Sequence, residues 1–104
     1  MTEKDRELLQ VLFDASSSGR LAWQETAKKG EFTTSLEGRF NAAVARPRGD
    51  AGAVFELRDL EDRLLLRIWS SDSALVDDLY ELARRSAFHV DDAVEDALRL
   101  LRGP

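Results

Sequence analysis

An α+β domain is expected, with an N-terminal helix, a four- or five-stranded antiparallel meander sheet, and two C-terminal helices packed on one face. Three features of the chain lead there. Apolar residues recur at three- and four-residue steps near the start, alternate with polar ones through the middle, and return to helical steps from Leu75 onward. With 104 residues, a second core would leave each half too small to be stable, so residues 1–104 are read as one domain.

Thr2 followed three residues later by Asp5 has the form of a helix cap: the hydroxyl accepts from an orphan amide and the carboxylate complements the positive end of the helix. The stripe Leu8, Leu9, Leu12, Phe13 and Ala15 then faces a core, and Ser16-Ser17-Ser18-Gly19 ends the helix.

Strands are expected at residues 21–26, 32–37, 39–46, 53–58 and 63–69. Lys28-Lys29-Gly30, Gly38, Pro47-Arg48-Gly49-Asp50 and residues 59–62 are the turns between them. Gly38 as the sole separator leaves two readings open: two strands, or one long strand bent at a bulge. Alternation places Leu21, Trp23, Phe32, Thr34, Leu36, Phe40, Ala42, Val44, Phe55, Leu57, Leu64, Leu66 and Ile68 on the face that meets the helices. The opposite face then carries Arg39, Asn41, Ala43, Ala45, Val54, Glu56, Arg58, Arg63, Leu65, Arg67 and Trp69.

Ser70, Ser71 and Asp72 offer caps for a helix whose stripe is Leu75, Val76, Leu79, Tyr80, Leu82 and Ala83. Residues 86–89 interrupt it, and Asp91 or Asp92 starts a last helix carrying Val94, Ala97, Leu98 and Leu101, stopped by Gly103-Pro104.

The run Leu79-Tyr80-Glu81-Leu82-Ala83-Arg84-Arg85-Ser86-Ala87 is followed by Val90-Asp91, and Leu21-x-Trp23-x-x-Thr26 precedes the sheet. Together these resemble a pattern in short uncharacterised bacterial proteins. The resemblance implies a bacterial, cytoplasmic, single-domain protein and carries no activity. His89 stands where that pattern has Gly.

Composition narrows the chemistry. The absence of cysteine removes disulfides, thiolate nucleophiles and sulfur-ligated metals. A formal charge of -5 opposes non-specific attraction to phosphate or anionic lipid. The acidity belongs to the helical ends: residues 1–18 sum to -2, residues 19–69 to +1 and residues 70–104 to -4. No apolar run approaches the roughly 20 residues that cross a bilayer, and the start lacks a secretory signal's apolar stretch, so a cytoplasmic protein without membrane contact is expected.

His89 is the sole histidine and lacks companions for acid–base work, while Asp91, Asp92 and Glu95 read as helix-opening charges. Asp59, Glu61 and Asp62 lack the ligand pattern and central Gly of a calcium loop and read as a solvated turn. Asp77, Asp78 and Glu81 belong on the wet side of a helix. None of Gly19, Gly49 and Gly52 stands before a helix, which removes a phosphate-binding loop. No catalytic residue, cofactor or metal is expected.

A non-enzymatic interaction or regulatory module is therefore expected, binding a protein partner or a second copy of itself through the sheet face opposite the helices. Its contact residues are Trp69, Arg67, Leu65, Arg58, Val54 and Arg39, since Trp and Arg are enriched at interface centres. The alternative is a single-stranded nucleic-acid binder that stacks bases on Trp69 and meets phosphates with the same arginines. Nucleic acid is disfavoured because Glu56 lies among those arginines.

Overall fold

The computed structural model describes residues 1–47 and 52–103. Thr2 caps the first helix, α1 (Glu3–Ser17), as expected: its Oγ1 accepts from the Asp5 amide at 3.1 Å, and the Asp5 carboxylate accepts from the Thr2 amide at 3.0 Å. After Ser17 the chain turns at Gly19, whose φ of +81° is cheap only for glycine. The amides of Arg20 and Leu21 both return to the Ala15 carbonyl, at 2.9 and 3.2 Å. Leu9 and Leu12 are the buried residues of the α1 stripe.

The five strands form one antiparallel meander in the order β1 (Gln24–Glu25), β2 (Glu31–Leu36), β3 (Phe40–Ala45), β4 (Val54–Asp59) and β5 (Leu64–Trp69). The alternative left open at Gly38 resolves as a tight turn. Leu36 pairs with Phe40, and Glu37 and Gly38 both take positive φ between two separate strands. Of the turn expected at Pro47-Arg48-Gly49-Asp50, Arg48, Gly49 and Asp50 lie outside the described residues.

The β4–β5 turn is organised by Asp59. Its carboxylate accepts from the amides of Glu61 and Arg63 at 2.9 and 3.0 Å, and from Nε of Arg63 at 2.7 Å. These bonds, led by the Arg63 amide, hold the Asp59 carboxyl below its ordinary pKa.

The register places Phe32, Val44, Phe55 and Ile68 across one face and Ala42, Leu57 and Leu66 beside them, as alternation requires. Leu64 departs from it. Leu57 pairs with Leu66 but Arg58 pairs with Leu64, so Leu65 is the extra residue of a bulge and Leu64 turns to the side of Arg58. Leu64 is exposed rather than covered by helices.

Helix α2 (Leu75–Ala87) lies on the core face, touching β1, β2, β3 and β4, and α1 packs against α2. Val76, Leu79, Tyr80 and Ala83 are buried. No side chain caps α2. Ser70, one of the expected caps, instead accepts the Ala53 amide at 3.1 Å, and Asp77 and Asp78 supply the negative charge of the first turn.

The last helix, α3 (Val90–Arg102), begins one residue before the expected Asp91, with His89 at its N-cap in the left-handed region at φ 52° and ψ 44°. His89 thus holds a conformation that glycine favours. The α+β architecture is as expected, but of the two C-terminal helices only α2 covers the sheet. Helix α3 buries no residue, and its substantial contacts are with α2. It extends the molecule to 52 × 32 × 28 Å and a radius of gyration of 15.0 Å, against about 13 Å for a compact domain of this size.

Candidate interaction surface

Among the described residues, no helix lies on the face of the sheet away from α2. Its middle strand, β3, contributes Asn41, Ala43 and Ala45, so the centre is low. Val54, Glu56 and Arg58 of β4 stand beside them, opposite Trp69, Arg67 and Leu64 of β5. Five of the six expected contact residues therefore lie on or at the border of one face. Val54 is buried, Trp69 is half-buried against it as its pair, Arg67 follows, and Arg58 and the bulged Leu65 lie toward the β4–β5 turn.

Arg39 is not among them. It sits in the β2–β3 turn, with its guanidinium 5.9 Å from the Phe40 ring centroid. Phe40 pairs with Asp59, at the end of the strands opposite the Ala45–Val54–Trp69 row. The alternation rule placed Arg39 in a strand, whereas the turn around Gly38 takes it out of the pleat.

Glu56 organises the charge. Its Oε2 lies 2.6 Å from Nη2 of Arg67, and its Oε1 lies 3.5 Å from Nη2 of Arg58. Arg58 also donates to the Asp62 carbonyl at 3.1 Å, which ties it to the turn. Both arginines are thus held by cross-strand and turn partners. The Glu56–Arg67 pair is partly exposed and contributes at most about 1 kcal/mol.

At the Trp69 end the strands bring in residues the alternation pattern did not single out. A cleft of about 380 Å³ is lined by Lys28, Lys29, Glu31, Arg46, Arg67 and Trp69, with Val54 and Glu56 in its wall. Lys28 and Lys29 arrive there because the hairpin centred on Gly38 pairs Glu31 with Ala45, and the Arg46 amide donates to the Gly30 carbonyl at 3.1 Å. Choosing the two-strand reading of Gly38 would have found them, since the register follows from the turn. Arg46 is partly committed elsewhere. Its guanidinium lies 4.7 Å from the Tyr80 ring centroid and 3.3 Å from the Asp77 carboxylate.

Around His89 the structure offers an open depression with Ser16, Ser17, Arg85, Ser86, Asp91 and Asp92. The His89 side chain is exposed, with Nδ1 4.0 Å from the Asp92 carboxylate. Ser16 and Ser86 each accept a hydrogen bond from Trp23, and Asp91 is held by Arg85 at 2.6 Å. These groups already have structural partners. Among the described residues no group of three His, Asp or Glu side chains is placed to hold a metal ion, and no helix is long and apolar enough to cross a membrane.

Comparison with family models, with curated proteins and with solved structures finds no match to this chain. The geometry alone therefore defines the class: an antiparallel meander covered by helices on one side and open on the other.

Proposed function

We propose that this chain is a non-enzymatic interaction module of a bacterial cytoplasm, holding a protein partner on the open sheet face. The observation that carries the reading is Trp69, half-buried against Val54 and bordered by Arg67, on a face that no helix covers. A ring that is already fixed by its neighbours loses little freedom on binding, and Trp and Arg contribute disproportionately at interface centres. The bulge at Leu64 and Leu65 adds exposed apolar surface at the far end of β5. The test replaces Trp69 and Arg67 together by alanine. Affinity capture from the native host followed by mass spectrometry should lose a partner that the unaltered chain retains, with the circular dichroism spectrum unchanged. Identical capture by both chains would remove the reading.

A second reading, binding of single-stranded nucleic acid, draws on Lys28, Lys29 and Arg67 gathered around Trp69. Base stacking on an aromatic beside cations is how such strands are held without sequence preference. Glu31 and Glu56 in the same cleft, and the ion pairs of Arg46 and Arg67, oppose it. Titration with an oligonucleotide at two salt concentrations decides between the readings, because phosphate contacts give an affinity that falls steeply with salt.

A further inference from the structure

Helix α3 presents an apolar side that its own domain does not cover. Val90, Val94, Ala97, Leu98 and Leu101 fall on one side at helical spacing, with Leu100 at its margin, and every charged residue lies on the other. Val94 and Leu98 are 49% and 41% exposed, and Leu100 and Leu101 are 83% and 85% exposed. Helices shorter than about 12 to 15 residues are marginal in water without tertiary packing. A 13-residue helix with no buried residue therefore calls for a surface that covers it.

The charges on α3 decide what that surface is. Asp91, Asp92, Glu95 and Asp96 occupy its first half, and Arg99 and Arg102 its last turn. An anionic bilayer would be repelled by a polar side with twice as many acids as bases, and interfacial helices carry the reverse. Nucleic acid is opposed for the same reason. A second α3 running antiparallel is complementary: each basic last turn lies beside an acidic first half, twice over by the two-fold axis, and the helix dipoles oppose. A parallel pair would set acid against acid. Glu95 and Arg102 have no ion-pair partner of their own among the described residues, so both are available to such a pairing.

The geometry points to α3 as a self-association helix, through which two copies of the chain pair antiparallel with Val94, Ala97 and Leu101 in the seam. Two helices of this length cover on the order of 1,000 Å², the size of a reversible rather than an obligate contact. This surface is separate from the open sheet face, and the Trp69→Ala/Arg67→Ala chain keeps the dimer.

Sedimentation equilibrium on the full chain, from about 1 μM to about 1 mM, spans the range over which such a pair forms. The unaltered chain should pass from monomer to dimer, while Leu101→Asp stays monomeric, with an unchanged thermal melt at the dilute end of the range where both chains are monomers. Arg102→Glu keeps the apolar stripe intact and should weaken the dimer about tenfold at low salt, with the deficit shrinking at high salt. The chain has no cysteine, so a single introduced thiol reports orientation without interference. Ala97→Cys, near the helix midpoint, should form a disulfide-linked dimer on mild oxidation, whereas Val90→Cys, at opposite ends of the pair, should not. A monomer at every concentration overturns the inference, as does a dimer that survives Leu101→Asp. Equal cross-linking at both positions overturns the antiparallel arrangement.

Discussion

The indole N–H of Trp23 donates to Oγ of Ser16 at 3.0 Å, joining the residue that leads into β1 to the last turn of α1. The backbone amide of Trp23 donates to Oγ of Ser86 in α2 at 3.1 Å, so one residue pins both helices to the sheet entry. Its side chain is 2% exposed. Trp23→Ala should cost about 3 to 5 kcal/mol in a denaturant melt, the usual range for emptying a buried aromatic site. Ser16→Ala, which removes one acceptor and keeps the packing, should cost only about 1 kcal/mol. A loss below about 1 kcal/mol for Trp23→Ala would mean that Trp23 is not part of the core.

His89 holds a left-handed conformation at the start of α3 with no side-chain capping bond to offset it. Left-handed backbone costs a non-glycine residue about 1 kcal/mol, partly countered by the greater freedom of glycine in the unfolded chain. His89→Gly should therefore raise stability by about 0.5 to 1 kcal/mol, and a β-branched replacement such as His89→Val should lower it. Equal melting midpoints for all three chains would show that the connection does not depend on this conformation.

Gly52 enters β4 with a φ of +79°, and a Cβ placed there would run into the Ser70 hydroxyl. That hydroxyl cannot turn away freely, because it accepts the Ala53 amide. Gly52→Ala should destabilise the fold by about 1 to 3 kcal/mol, combining backbone strain with the loss of this bond. In a chain already carrying Ser70→Gly, which has neither the clash nor the bond, Gly52→Ala should cost less than in the native chain, and an equal cost in both backgrounds would leave strain as the sole cause.

The Asp59 carboxyl is held below its ordinary pKa by the Arg63 amide first, and then by the Arg63 side chain and the Glu61 amide. A lowered folded value means that the carboxylate stabilises the fold above the unfolded pKa of about 3.9, and that this contribution is lost as pH falls through the folded value. The stability difference between the native chain and Asp59→Asn should be constant from neutral pH down to about pH 5 and shrink below about pH 4. Chemical melts across that range check it, and a difference that grows on acidification contradicts the assignment.

How far the residues alone disclosed the fold follows from what each signal depends on. Strand alternation and helical spacing are local, and they located all five strands and three helices. The Thr2–Asp5 cap was legible because both partners lie within one turn. The turn at Gly38 was ambiguous because a glycine serves a bulge as well as a hairpin, and only pairing Leu36 with Phe40 separates the two. Leu64 was misplaced because a bulge inverts every side chain beyond it, with no mark in composition. Arg39 was misplaced by the same ambiguity at Gly38, and Ser70 was read as a cap because its partner, Ala53, lies 17 positions away. The amphipathic pattern of α3 was plain, but periodicity shows only that a helix has a side to bury. It does not show whether the chain itself supplies the cover.

Helix α2 meets four strands and α1, yet it is synthesised after all of them. Until α2 has been made, the oily side of the meander has only Leu9 and Leu12 of α1 to set against it. Val76, Leu79, Tyr80 and Ala83 are the last residues of the core to be made, and they complete it. A chain cut short before Leu75 should consequently hold no native sheet at all, rather than a weakened one.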